Sequence, residues 1–385
     1  MLTHLYLYSH TIYICGADPY LMKIKEVLNY LESKCPLAYQ ESYDNCGLIA
    51  GDAEQAIAGA LLCLDSTEDV VKEAIKLKCN LIIAHHPILF SPVKKLTGKT
   101  YAERVIIAAI KHNICIYAMH TNLDSIYNGV NHKIAKKIGL ENLSILSPKS
   151  GLLKKLVTFA PVANAEKVRT ALFEAGAGSI SNYEECSFNT TGTGTFKAGK
   201  GANPYVGAKG KRHNEPEERI ETIFTADKEQ VLINALLNAH PYEEVAYDIY
   251  SLTNAHKQIG SGMVGDLKKS MKEKDFLAHL KKTMKAECIR YSPLLGKTIK
   301  RVAVCGGSGS FLLPDAIRAK ADILVTADFK YHQFFDADNK IVIADIGHYE
   351  SEQFTPEIIY SLLKEKFNTF ALQFSKTKTN PVNYY

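Results

Sequence analysis

Short apolar runs alternate with amphipathic stretches in the first third of the chain. Three such runs lie at Ala58–Asp65, Asn80–His86 and Asn113–His120, and the segment Thr67–Leu77 between the first two has helical periodicity. Uninterrupted apolar runs of this length, separated by helices, are typical of buried strands in a mostly parallel sheet. The pattern therefore predicts the first half of an α/β domain over residues 22–150.

The same alternation returns near the C-terminus. The apolar runs there are Lys300–Gly306, Asp322–Asp328 and Lys340–Asp345, and Leu313–Lys320 has a helical pattern. We expect these elements to form a second, mostly parallel α/β half over residues 259–385. Because insertions are tolerated at exposed loops, we also expect the two halves to close on each other as one domain.

Residues 151–258, which separate the two halves, have a different pattern. They predict a strand and a helix, a flexible Gly- and Thr-rich stretch over residues 176–210, and then a strand, a helix and a strand. These predicted elements are Lys154–Pro161, Ala165–Ala175, Arg219–Phe224, Lys228–Asn238 and Val245–Leu252. This order resembles a ferredoxin-like α+β module, and we interpret the segment as an insert.

The first 21 residues are apolar and aromatic but contain no Lys or Arg, so they lack the charged region of a secretory signal. A helical pattern begins at Met22. We therefore expect the compact protein to begin near Met22. Residues 1–21 are then an N-terminal extension, or the product of an upstream start codon, that is not needed for the fold.

Composition excludes several classes of function. The chain has 385 residues, with 46 basic and 41 acidic side chains and no block of like charges, so nucleic-acid binding is not expected. No apolar run approaches the roughly 18–20 residues of a membrane-spanning helix. Nine cysteines without a C-x-x-C pair argue against a disulfide framework or a zinc site made of cysteines. Reduced thiols fit a cytoplasmic protein.

Polar side chains follow the predicted strands at the point where each strand ends. The residues with this placement are His85, His86, His120, Asp124, His348 and Glu352. Open α/β sheets bind ligands outside the carboxyl ends of their strands, so we expect these side chains to face one crevice.

Their spacing suggests metal ligands. His85 and His86 are adjacent, and because side chains alternate across a strand they are expected to diverge and serve two different ions. His348 and Glu352 are four residues apart and share one face of a predicted helix. With Asp124, they make a nitrogen and oxygen set suited to Zn, Fe, Mn or Co rather than calcium. Two such ions about 3.5–4 Å apart can lower the pKa of a bridging water.

Two further histidines are candidate catalytic residues. His120 is either another ligand or a group that orients a bound water or substrate. His332 follows the neighbouring predicted strand and could play a similar part, although a structural role is an equal alternative for both. The Gly-rich stretch 305–310 suits a phosphate or a tight turn, and residues 43–47 predict a turn in which Asp44 and Asn45 cap backbone amides.

Six motifs together resemble a known family. They are YDNCGLIAG at 43–51, LDST at 64–67, LIIAHHPILF at 81–90, HTNLD at 120–124, TADFKYH at 326–332 and DIGHYESE at 345–352. They resemble the dinuclear-metal-centre hexameric proteins called type 2 GTP cyclohydrolase I homologues, or NGG-interacting-factor-like proteins. The resemblance covers nearly everything from Met22 onward. The central region, with HPYEEVAYDIY at 240–250, is similar to the CutA/PII-like insert of longer bacterial members.

The resemblance implies a set of metal ligands and an assembly. The implied ligands of two divalent ions per subunit are His85, His86, Asp124, His348 and Glu352. It implies that Glu352 bridges the ions, with His86 and Asp124 on one side and His85 and His348 on the other. It also implies a homohexamer of two stacked trimers, with the metal sites facing an enclosed space.

The resemblance further implies a reaction, in which water attacks the imidazole ring of GTP and releases formate on the way to dihydroneopterin triphosphate. The same ligands would serve a two-metal phosphoester hydrolase. A third alternative is a metal-handling or regulatory hexamer without catalysis, in which the insert senses a small molecule.

Overall fold

Residues 22–385 are described by a computed structural model, and they form three β-sheets. The expectations about residues 1–21 lie outside the described residues. The strands are β1 Gly47–Ala50, β2 Gly59–Cys63, β3 Leu81–Ala84, β4 Cys115–Ala118, β5 Leu140–Lys149, β6 Leu153–Pro161, β7 Ser187–Lys197, β8 Arg212–Thr225, β9 Tyr247–Ser251, β10 His256–Lys272, β11 Arg290–Tyr291, β12 Thr298–Ser308, β13 Ile323–Ala327, β14 Val342–Asp345 and β15 Ala371–Phe374.

The α-helices range from one turn to three turns. They are α1 Ile24–Lys34, α2 Glu68–Lys76, α3 Tyr101–Lys111, α4 Thr121–Ser125, α5 Val130–Ile138, α6 Ala165–Glu174, α7 Glu229–Ala239, α8 Glu273–Thr283, α9 Leu313–Arg318, α10 His348–Glu352 and α11 Thr355–Lys366. Thr67 caps α2 by accepting a hydrogen bond from the amide of Val70. Within residues 22–385, none of the helices has both the length and the apolar character needed to cross a membrane.

The first sheet has the strand order β1-β4-β3-β2-β15. Strands β2, β3 and β4 match the three apolar runs of the N-terminal half and pair in parallel. Every residue of these strands is buried, which explains why their sequences are apolar without interruption. Strand β15 comes from the C-terminal end of the chain and pairs in parallel with β2. The second half of the chain therefore completes the sheet of the first half.

The second sheet has the order β11-β14-β13-β12-β10-β5. Strands β12, β13 and β14 form the predicted parallel trio. Strands β10, β5 and β11 extend the trio in antiparallel fashion, so this sheet is mixed. The sequence pattern did not predict these three strands, because β10 contains several glycines and polar residues and β11 has only two residues.

One hydrophobic core joins the two halves. Ile83 and Tyr117 of the first sheet belong to the same buried cluster as Val304 and Val325 of the second. Full burial of each such side chain stabilises the folded state by about 1.5–3 kcal/mol. The two halves therefore form one α/β domain, as the pattern predicted.

The insert has its own sheet, with the order β7-β8-β6-β9 and antiparallel pairing throughout. With α6 and α7 it has the β-α-β-β-α-β order of a ferredoxin-like module. The prediction of a flexible stretch was wrong at residues 187–197, which form β7 and pair with β8 along their whole length. Its threonines favour a strand. Gly194 also leaves room for the Glu217 carboxylate, which a Cβ would approach to 2.0 Å.

Candidate metal centre

The polar residues at the strand ends meet in one cavity. His86 follows β3, and His120 follows its parallel neighbour β4. His348 and Glu352 are the first and last residues of α10, which follows β14 in the other sheet. These four side chains and Asp124 line a shared cavity of about 1130 Å³. The carboxyl ends of both parallel sets therefore face each other, as expected for a ligand site in such sheets.

Three side chains from opposite walls of the cavity form one possible metal-binding group. Nε2 of His86 lies 2.9 Å from Oε2 of Glu352, and Nε2 of His348 lies 3.1 Å from the same oxygen. The two Nε2 atoms are 3.2 Å apart. Ligand atoms around a tetrahedral zinc ion are about 3.3 Å apart when the metal–nitrogen distances are about 2.0–2.1 Å. The group therefore has the spacing of a metal site.

A second group lies deeper and contains His85, Asp124 and Glu352. Nε2 of His85 is 3.7 Å from Oδ1 of Asp124 and 3.7 Å from Oε1 of Glu352. Glu352 thus faces the first group with one carboxylate oxygen and the second group with the other. This is the position in which a carboxylate can bridge two ions.

The pairing of ligands differs from the one that the resemblance implied. The structure groups His86 with His348 and His85 with Asp124, whereas the expected pairs were His86 with Asp124 and His85 with His348. His348 and Glu352 share one face of α10, which brings His348 close to Oε2 of Glu352. His86 approaches the same oxygen from the opposite wall. The other oxygen faces His85, which leaves Asp124 as its neighbour.

His85 and His86 do not diverge as adjacent strand residues would. Strand β3 ends at Ala84, and the two imidazole rings lie 4.9 Å apart with a tilt of 46°. Both rings reach the cluster because the backbone has already left the strand. They belong to different groups where Glu352 takes part, and a third group contains both of them.

The Nδ1 atom of each histidine in the cavity has an acceptor, which fixes the ring. Nδ1 of His85 donates to the backbone oxygen of Met119 at 2.7 Å. A carbonyl oxygen can only accept, so Nδ1 carries the hydrogen and Nε2 presents its lone pair. The other histidines donate to carboxylates: His86 to Asp65 at 2.7 Å, His120 to Asp44 at 2.8 Å and His348 to Asp328 at 2.6 Å. Such partners orient histidines that bind metals.

The contacts of these three aspartates with histidines were not predicted from the sequence. Asp65 follows β2 and Asp328 follows β13, so each lies at the end of a strand beside a strand that carries a histidine. The order of neighbouring strands in the sheet was the signal that could have revealed these roles. Asp44 does bond to backbone amides, as predicted for a turn, but it also accepts hydrogen bonds from His120 and from the hydroxyl of Thr121.

Two buried atoms support the presence of a metal ion. Among the described residues, Nε2 of His85 and Oδ1 of Asp124 have no hydrogen-bond partner. A buried polar atom without a partner costs about 1–3 kcal/mol. Both atoms belong to the group that shares Glu352, and a cation between them would satisfy both. The donor set of imidazole nitrogens and carboxylate oxygens therefore fits Zn, Fe, Mn or Co.

Burial and neighbouring charges shift the pKa values of the two carboxylates of the cluster in opposite directions. Burial and the nearby Glu352 charge raise the pKa of Asp124 well above its usual value. Burial also acts to raise the pKa of Glu352, but the surrounding histidines outweigh it and hold that pKa well below the usual value. Glu352, at the centre of the cluster, therefore favours its ionised form, whereas the charged form of Asp124 is disfavoured when no metal is bound.

The pKa values of two ligand histidines are raised by carboxylates, and that of a third is lowered by burial. Burial acts to lower the pKa of His86, but hydrogen bonds to Asp65 and Glu352 raise it to about 9. At His348, too, burial acts to lower the pKa, but hydrogen bonds to Asp328 and Glu352 raise it to about 11. The pKa of His85 is lowered, chiefly because its ring is fully buried.

His120 lies beside the cluster. Its ring centroid is 5.2 Å from that of His85 and 5.4 Å from that of His86, and the three histidines form a third group that could hold an ion. Its Nδ1 bond to Asp44 also suits a residue that moves a proton. Both interpretations made from the sequence, ligand or orienting group, therefore remain open.

The structure does not bring His332 into this cavity. His332 is exposed on a short 3₁₀ helix, Tyr331–Ala337, where its ring stacks on Phe335 and packs against the edge of Tyr331. It neither lines the cavity nor belongs to the metal-binding groups found among residues 22–385. The chain leaves β13 at Ala327, and the loop directs Asp328 rather than His332 toward His348.

The Gly-rich stretch 305–310 has a role that the sequence did not indicate. The backbone of Gly307 passes so close to the cluster that a Cβ would lie 2.5 Å from Oε1 of Glu352 and 3.1 Å from Cε1 of His348. Its φ of 57° also favours glycine. The glycine therefore allows the end of β12 to pack directly against α10, which carries both ligands.

The fold and the site define an α/β protein that carries a ferredoxin-like insert and a histidine–carboxylate cluster able to hold metal ions. Residues 22–381 match the model of Duf34/NIF3, the NGG1p interacting factor 3 family. The chain belongs to this family, which confirms the resemblance identified from its motifs.

Relatives and solved structures match nearly the whole chain. A protein of Halalkalibacterium halodurans is 39% identical over 363 residues, which are 93% of this chain and 98% of the relative. A Bacillus subtilis protein is 36% identical over 365 residues, covering 94% and 98%. Both are named GTP cyclohydrolase 1 type 2 homolog. The structure of a Bacillus cereus protein related to NIF3 matches with a TM-score of 0.82 at 36% identity, over 95% of this chain and all of that one.

Proposed function

We propose that this protein binds two divalent metal ions and is a metal-dependent hydrolase. The observation that carries the proposal is the position of Glu352, whose two carboxylate oxygens face two separate groups of ligand atoms. A single-ion site would not need a second group. The unpartnered Nε2 of His85 and Oδ1 of Asp124 support an ion in the deeper group as well.

Each ligand has a defined part in this proposal. His86 and His348 would hold one ion, His85 and Asp124 would hold the other, and Glu352 would offer one carboxylate oxygen to each. The bound ions would lower the pKa of a shared water and polarise the substrate. Asp65, Asp328 and the Met119 carbonyl hold the imidazole rings so that the Nε2 atoms face the other ligand atoms.

His120 is proposed to transfer a proton. Its Nδ1 is held by Asp44, and its ring is in edge-to-face contact with Phe90 at 5.8 Å, beside the cavity. A histidine oriented by a carboxylate can accept a proton at Nε2 and return it to a leaving group. Such a residue supplies the acid and base chemistry that water activation alone does not provide.

The proposed substrate is GTP, on which the relatives' name is based. The reaction would add water to the imidazole ring and release formate. The cavity of about 1130 Å³ exceeds the roughly 300–1,000 Å³ of typical small-molecule sites, so a nucleotide fits by volume. A homohexamer of two stacked trimers, which the resemblance implied, is part of the same proposal, and light scattering in solution tests it.

The proposal is tested by metal analysis followed by activity assays. Protein purified without chelators is analysed for metal per chain, and the loaded protein is then assayed for formate release from GTP and for hydrolysis of simple phosphoesters. About two ions per chain with formate release supports the proposal. Phosphoester hydrolysis without formate release would identify a two-metal phosphoesterase and overturn the proposed GTP reaction. Two ions without either activity favour a metal-handling or regulatory role, and no metal under metal-replete conditions overturns the metal site.

A further inference from the structure

The C-terminal segment, residues 375–385, leaves the first sheet at the edge where the metal ligands lie. Strand β15 runs parallel to β2, with Phe374 opposite Leu62. Parallel strands end at the same edge of a sheet, so the segment after Phe374 runs beside the loop after β2. The amide of Ser375 donates to the backbone oxygen of Leu62 and continues this pairing by one residue.

The first residues of this segment are fastened to helix α2. Glu73 accepts hydrogen bonds from the hydroxyl of Ser375 at 2.6 Å, the amide of Lys376 at 2.8 Å and the hydroxyl of Thr377 at 2.8 Å. These bonds to an ionised carboxylate are of the stronger kind. They direct the rest of the segment toward the cavity.

The next residues contact the metal centre itself. The hydroxyl of Thr379 donates to Oδ2 of Asp65 at 2.5 Å, and Oδ1 of Asp65 accepts from Nδ1 of His86 at 2.7 Å. The Asp65 carboxylate therefore has one donor on each oxygen, and one of the two comes from the C-terminal segment. Asn380 then donates to Glu350 on the opposite wall at 3.1 Å.

We propose that Thr379 is a positioning residue of the metal centre, and that it acts on His86 through Asp65. The inference deepens the proposed function, since it rests on His86 being a metal ligand. A hydroxyl that donates to Oδ2 restricts rotation of the carboxylate about its Cβ–Cγ bond. With that rotation restricted, Oδ1 stays aligned with Nδ1 of His86, and Nε2 of His86 stays directed at Glu352.

Loss of an outer hydrogen bond of this type typically weakens metal binding by about 10–100-fold. We expect the lower end of this range for Thr379, because it lies one bond further from the metal than Asp65 does. The effect should fall on the ion held by His86 and His348, while the deeper ion should be retained.

The test compares three variants of the full-length protein. Thr379→Val keeps the shape of the side chain and removes the hydroxyl, whereas Thr379→Ser keeps the hydroxyl. Thr377→Val is the matched control, because Thr377 makes a similar bond in the same segment to Glu73, which lies outside the metal-binding groups. Zinc and manganese affinity is measured by competition with a chromophoric chelator, and thermal unfolding of the metal-free proteins is measured in parallel.

The expected result is about tenfold weaker binding of one ion in Thr379→Val, with wild-type binding in Thr379→Ser and Thr377→Val. Equal affinity of Thr379→Val and wild type would overturn the inference and leave the metal site intact. Equal losses in Thr379→Val and Thr377→Val, with lower melting temperatures in both, would also overturn it, since the segment would then act only on stability. A wild-type protein that binds no metal would overturn the proposed function instead.

Discussion

His348 and Glu352 lie one turn apart on α10, with Nε2 of His348 3.1 Å from Oε2 of Glu352. The side chain of His348 is 40% exposed and that of Glu352 only 3%. The turn therefore runs from the open side of the cavity to its buried floor. This explains why Glu352, and not His348, reaches both groups of ligand atoms: only the buried end of the turn faces His85.

Glu352→Gln should remove metal binding while preserving the shape of the side chain. An amide keeps one carbonyl oxygen but cannot offer two anionic oxygens to two ions. We expect a loss of more than about 100-fold in affinity for both ions, beyond the range of an outer residue. Metal per chain after dialysis measures it, with the half-exposed Glu357→Gln as the control. Two retained ions in Glu352→Gln would contradict the bridging role.

Asp328→Asn should weaken binding of the ion held by His86 and His348 by about 10–100-fold, because the amide is a poorer acceptor for Nδ1–H of His348. Asp338→Asn is the control, since Asp338 is exposed and pairs with Lys340. Chelator competition measures both. If the two variants bind equally well, Asp328 does not orient His348.

The sequence predicted those parts of the protein in which a single physical cause explains the pattern of residues. Continuous apolar runs separated by helices are typical of strands buried on both faces, and they form β2–β4 and β12–β14. The spacing of His348 and Glu352 depends on helical geometry alone, so their shared face was also predictable. Strand β10 was missed because its glycines and polar residues follow neither a strand nor a helix period.

The rest of the site depends on tertiary placement. Asp65 and Asp328 acquire their roles only when neighbouring strands are ordered in the sheet. The pairing of His85 with Asp124 depends on which oxygen of Glu352 faces the floor of the cavity. Sequence spacing contains neither fact.

Metal binding should release protons and strengthen as the pH rises. Without metal, His86 has a pKa of about 9 and His348 of about 11, so both are protonated at neutral pH. An ion must displace these protons, and apparent affinity therefore falls as the pH is lowered. Calorimetric titration in two buffers with different ionisation enthalpies counts the released protons. Identical heats in both buffers would contradict the prediction.

Gly307→Ala should disturb the metal site directly. A Cβ would lie 2.5 Å from Oε1 of Glu352, so the bridging carboxylate must move. Gly151→Ala is the matched control, because Gly151 also has a positive φ but open space around its Cβ position. Both variants should lose about 1 kcal/mol of unfolding free energy from the backbone strain. Only Gly307→Ala should lose bound metal, and equal metal content in both would show that the close approach is not needed.

His120→Asn and His332→Asn should separate the two histidines that the sequence proposed as catalytic. His120 lies at the cavity with Asp44 behind it, whereas His332 is exposed among Tyr331 and Phe335. If His120 transfers a proton, its variant should keep both ions and lose about 10²–10⁴-fold in turnover of GTP. The His332→Asn variant should keep both its metal ions and its turnover of GTP. Metal analysis beside formate release also decides the alternative left open above, because loss of an ion in His120→Asn would make His120 a ligand. Full activity with full metal content in that variant would remove His120 from the mechanism.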